Sequence, residues 1–152
     1  LDELTPEDVV LGLYEGFSSF KAKVPTFDFT LSPCVRKEPS FWDAANFQCK
    51  ADYFMHQVNL IVGLLERFPE LESCLTDVDT VGNERELFRK QDFLEMQPGF
   101  RKLHEHGFRI RSHHGETWKI LRYGIQAVDN AMNIWHIGSC SEAISMSSSS
   151  HC

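Results

Sequence analysis

The chain has 152 residues, length for one domain, and its 42% hydrophobic and 24% charged composition excludes disorder for most of it. Fifteen Lys and Arg against 22 Asp and Glu leave a formal charge of −7, so neither nucleic acid nor an anionic membrane is expected as a partner. The longest apolar run, Leu60 to Leu65, is far short of the roughly 20 residues of a membrane span. The start Leu1-Asp2-Glu3 is acidic rather than basic and apolar, so no secretory signal is read and a cytoplasmic location is expected. Five cysteines, with no C-x-x-C pair among them, support neither a zinc ribbon nor a disulfide framework and read as reduced thiols. Leu1 in place of a Met and the ending Ser-Met-Ser-Ser-Ser-Ser-His-Cys both read as cuts rather than natural termini.

Thr5-Pro6-Glu7-Asp8 predicts a helix start, with Thr5 as cap, Pro6 where a missing N–H costs nothing, and two carboxylates at the positive dipole end. Val10, Leu13, Tyr14 and Phe17 recur at helical spacing, so this helix is expected to reach about Phe20. Phe27, Phe29 and Leu31 alternate with polar residues, which predicts a strand over Thr26 to Val35. A long helix is expected from Ser40 until Pro69 ends it, with Phe54, Val58, Ile61, Val62 and Leu65 facing one way, and then a short strand around Cys74 to Asp79. A third helix within Leu87 to His106 is expected to be interrupted near Pro98-Gly99 and stopped by Gly107. Phe108 to His113 alternates as a strand, Trp118 to Asn130 reads as a helix, and Met132 to Ile137 as a last strand. Helices alternating with strands over long connections argue an α/β fold with a parallel sheet, either doubly wound or part of a β/α barrel.

The segment His113-His114-Gly115-Glu116 falls where a parallel strand ends, the place at which α/β folds gather their active-site residues. An imidazole there can bind a metal, and Glu116 can reach back over the same mouth once Gly115 turns the chain; a solvated loop with Glu116 at a helix start is the alternative. Asp77-Val78-Asp79-Thr80-Val81-Gly82-Asn83-Glu84 supplies a similar polar cluster one unit earlier, and the two would converge on one rim. His104-Glu105-His106 has the spacing of a metal pair on a strand, but on a helix its rings diverge by about 200°, so it reads as histidines favoured by a helix C-terminus. His56 reads as packed or solvated, and Trp118 and Trp135 as core. Arg109 and Arg111 point either to a barrel interior or to solvent.

Four markers occur in order: Leu4-Thr5-Pro6-Glu7-Asp8-Val9-Val10, Cys34-Val35-Arg36-Lys37-Glu38-Pro39-Ser40, Asp79-Thr80-Val81-Gly82-Asn83-Glu84 and His113-His114-Gly115-Glu116. The chain resembles the middle portion of the adenosine deaminase family, which includes AMP deaminases, over about Leu4 to Ile137. That resemblance implies an eight-stranded β/α barrel, of which residues 1–137 would hold about four units; from 138 to 152 the composition turns Ser-rich with no core-forming pattern, a tail foreign to the family that is expected to be disordered. It implies one catalytic zinc, with His113 as a ligand, Glu116 as the acid that protonates the purine ring nitrogen, Gly82 as a backbone contact to the purine and Glu84 in a supporting role on the substrate side.

The chain departs from the family in three places. The His-x-His zinc pair has no counterpart, Ser139 stands near where a later His should fall, and the final Asp-Asp strand is absent. The expected function is therefore that of a zinc-dependent hydrolytic deaminase of a purine nucleoside or nucleotide, present as a portion that binds zinc weakly and turns over nothing useful alone. Another metal-dependent amidohydrolase is one alternative, and a non-catalytic product that self-associates through open barrel edges is the other. An uncovered apolar barrel interior is also expected of such a portion.

Overall fold

The computed structural model describes residues 4–115, 120–137 and 139–141. Helix α1 (Pro6–Lys23) begins on a capping box in which Thr5 accepts the Asp8 N–H and the Asp8 carboxylate accepts the Thr5 N–H. Strand β1 (Cys34–Arg36) follows, then α2 (Lys50–Arg67), β2 (Asp77–Val81), α3 (Lys90–Glu105), β3 (Arg109–His113), α4 (Leu121–Ile134) and β4 (Ser139–Ser141). The four strands form one parallel sheet in the order β1-β2-β3-β4. The register sets Cys34 beside Asp79, Asp79 beside Arg111 and Arg111 beside Ser139. The chain is thus α/β with a parallel sheet. Its strand order never reverses, unlike that of a doubly wound sheet.

Right-handed crossovers that all step in one direction stack their helices on one face, and α2 packs on α3 and α3 on α4 accordingly. The core lies between these helices and the sheet: Val35, Val78 and Ile110 point into it and meet Phe54, Val58, Phe100 and Leu103. Trp135 closes one end, its ring 4.4 Å from Phe93 and 4.3 Å from Phe100, with its indole N–H donating to the Phe93 carbonyl at 2.8 Å. The residues alternate with these along the strands, so Cys34, Asp77, Asp79, Arg109, Arg111 and His113 line the other face. That face is polar, not the apolar interior expected of half a barrel. Arg109 and Arg111 both lie on it and are exposed.

Several expected boundaries move. The strand predicted over Thr26 to Val35 is only three residues and starts after Pro33, which has no N–H for a ladder. Phe27 and Phe29 instead pack on α1, with ring centroids 4.9 Å from Phe20 and 5.3 Å from Phe17 respectively. The long helix starts at Lys50 rather than Ser40, after a run of turns. Helix α3 runs unbroken through Pro98, because Gly99, Phe100 and Met96 are buried there and hold the turn in place. It ends as predicted, with Gly107 at φ +79°, the Phe108 N–H donating to Leu103 O and the Gly107 N–H to His104 O. The strand predicted over Met132 to Ile137 is instead the end of α4 and its exit, and the fourth strand forms at Ser139–Ser141. No helix among the described residues is long and apolar enough to cross a membrane.

Candidate functional site at the strand ends

Parallel strands deliver their C-terminal ends to one rim. Val81, His113 and Ser141 stand at equivalent levels there, with the 82–84 turn beside them. His113 is on the open face, and its Nε2–H donates to Asp79 Oδ2 at 3.1 Å. Asp79 is held in turn by the Thr80 N–H, which donates to Oδ1 at 2.7 Å. The carboxylate therefore sits diagonally across from the ring on the neighbouring strand, within reach because strand faces repeat every second residue.

Gly82 leaves β2 with φ +127°, a conformation glycine adopts without strain, and Asn83 caps the following short turn by accepting the Arg85 N–H. Glu84 in that turn is buried and lies 3.7 Å from Lys37 Nζ. Lys37 has no exposed surface and also donates to the His113 carbonyl. One buried ammonium thus ties the end of β1 to Glu84 and to the end of β3. Of the residues predicted for the site, Gly82, Glu84 and His113 lie on this rim, and Lys37 joins Glu84 to His113. Glu116 lies outside the described residues. Gly115 makes the expected turn at φ +85°.

Beneath the rim, His114 is fully buried against Phe93 and Trp135 and shares a 2.7 Å hydrogen bond with Ser112, whose hydroxyl also bonds Thr80. Burial first, and then the charges of Lys37 and His113, push the His114 ring down to about 2, so it is neutral at ordinary pH. Glu38 behaves differently. Burial opposes its charge, but Arg36 and the N–H groups of Glu38 and Asn83 outweigh burial and hold its carboxyl below the usual range. Asp79, Lys37 and Glu38 were not singled out by the motifs. The only signal for them was their place at strand ends within two of the four markers.

His104 and His106 do not form a pair. The His104 Nε2 is 2.9 Å from Trp135 O and the His106 Nδ1 is 2.8 Å from Lys102 O, as diverging rings at a helix end require. His56 is exposed and rests on Phe47.

A zinc ion takes three protein ligands or more. Among the described residues no three His, Cys, Asp or Glu side chains are grouped to hold a metal. By themselves they offer one imidazole with a carboxylate on its ring, and that set does not complete a zinc site. No family model matches the chain, and neither a curated protein nor a solved structure does.

Proposed function

We propose that this chain is a portion of a zinc-dependent hydrolytic deaminase of the adenosine deaminase type, acting on a purine nucleoside or nucleotide. The observation that supports this reading is geometric. The strand ends within three separate markers, spread over about 80 residues of chain, lie on one rim of one parallel sheet whose order never reverses, the arrangement of consecutive units in a β/α barrel. In this reading the sheet is an arc of such a barrel, and the polar face with Asp79, Arg111 and His113 is its lining.

The reaction would add water at the 6-position of the purine and release the 6-amino group as ammonia. Glu116 would protonate the ring nitrogen as water adds, since a carboxyl held at that nitrogen avoids a charged adduct. The Gly82 backbone would meet the flat edge of the base, and Glu84, held by Lys37, would keep that turn in place. His113 would be one ligand of a set that the described residues do not complete, so the chain alone is expected to bind zinc weakly and to release no ammonia from adenosine or AMP.

Equilibrium dialysis against zinc tests the assignment. Weak uptake by the parent chain, lost in His113→Ala and kept in Glu116→Gln, supports it. Equal uptake by parent and His113→Ala would sink it. A second reading, association without catalysis, is favoured by the exposed apolar residues on α1 (Phe17, Phe20) and α4 (Leu121, Ile125). Its signature is a concentration-dependent oligomer with no bound metal.

A further inference from the structure

Of the marker Cys34 to Ser40 the reading above uses only Lys37, yet its Glu38 lies directly against the Gly82 turn. Glu38 is 5% exposed. Arg36 grips its carboxylate twice, with Nη2–H donating to Oε1 at 2.6 Å and Nε–H to Oε2 at 3.3 Å. Arg36 is itself seated on the Phe41 ring, 3.8 Å from the centroid. Lys50 Nζ donates to the Glu38 carbonyl, fixing the main chain as well.

A Cβ placed on Gly82 would collide with Oε2, Cδ and Cγ of this same side chain. The glycine at 82 therefore answers two demands at once, the positive φ and the room for Glu38. An acid two residues past the edge strand and a glycine one residue past its neighbour are thus complementary in shape.

We infer that Glu38 is the positioning residue of the Gly82–Asn83 turn, and that it fills the side of Gly82 on which a side chain would stand. A planar base can then approach this backbone only from the other side, with the turn already shaped before it arrives. That the base is a purine rests on the function proposed above; the latch does not.

A double-mutant cycle in the metal-free chain, read as urea midpoints, tests the latch. Gly82→Ala meets both the positive φ and the Glu38 carboxylate and is expected to lower the midpoint. In a Glu38→Ala background the collision is gone and only the φ strain remains, so the same Gly82→Ala is expected to lower the midpoint by a clearly smaller step. Should Glu38→Ala not fold, Glu38→Asp withdraws the carboxylate by one methylene and is expected to shrink the step in the same direction. An equal Gly82→Ala step in the parent and in the folded Ala or Asp background overturns the inference. The readout needs neither zinc nor nucleoside, so a failed latch and a failed deaminase assignment are told apart.

Discussion

Lys50 opens α2 with only 8% of its surface exposed, and its ammonium donates to the carbonyls of Glu38 and Phe41. Burial pulls its pKa down to about 8 from 10.5, with Arg36 adding to the shift, while the carboxylates of Glu38, Asp92 and Glu86 oppose it. Between those two pH values the unfolded chain holds a proton at this position that the folded chain has released, so stability rises with pH across that window. Denaturant midpoints measured from pH 8 to 10.5 are expected to rise more steeply for the parent than for Lys50→Met; identical slopes would refute it. At this scale the motif H-x-G-E named His113 but was silent on His114, because burial is not written in a four-residue pattern. His114 turned inward against Trp135 while its neighbour faced the rim, the ordinary alternation of a strand that ends between them.

Helix α3 carries the clearest difference between local preference and the packed molecule. Pro98 removes one helical hydrogen bond and crowds the preceding turn, a cost of about 3 kcal/mol in an isolated helix. The helix continues because Met96, Phe100 and Leu103 bury fully on the sheet side, which local propensity does not register. Gly99 belongs to the same contact: a Cβ there would stand 2.7 Å from Phe54 Cε1 and 3.2 Å from Val58 Cγ2. Gly99→Ala is expected to destabilise the chain by about 1–2 kcal/mol, overpacking exceeding the helix-propensity gain. Gly63 in α2 has nothing within 4 Å of the same position, so Gly63→Ala is expected to stabilise by about 0.5–1 kcal/mol. Urea midpoints of the two variants should therefore move in opposite directions, and a shared sign would show that propensity alone governs both sites.

Across the whole molecule, the outer edge of β1 is where a further strand would pair, and a side chain covers part of it. The backbone of Arg36 faces away from β2, and Gln57 of α2 meets it: the Arg36 N–H donates to Gln57 Oε1 at 2.9 Å, and Gln57 Nε2 reaches the Arg36 carbonyl at 3.5 Å. A side-chain amide thus stands in for a neighbouring strand at one residue, a known way of blunting a sheet edge. Gln57→Leu uncovers both groups and is expected to shift the chain toward larger species on sizing at high concentration. An unchanged elution profile would mean that this edge does not govern association. The face opposite the helices needs no such cover, since Asp77 and Arg109 pair across it at 2.9 Å and Asp79, Arg111 and His113 also lie on it.

The sequence by itself determined the alternation of helices and strands, the cap at Thr5, the stop at Gly107, and the gathering of Gly82, Glu84 and His113 near strand ends. Each of these rests on a local cause: a capping hydroxyl, a residue free to take positive φ, a period of two or of 3.6 residues. Tertiary structure alone decided that Phe27 and Phe29 pack on α1 rather than pair in a sheet, that Pro98 lies inside a helix, and that Ser139–Ser141 supplies the fourth strand in place of Met132 to Ile137. It also decided that Lys37, Asp79 and Glu38 hold the rim together. Those outcomes depend on which surfaces meet across tens of residues, and burial against a distant partner outweighs the preference of any short segment.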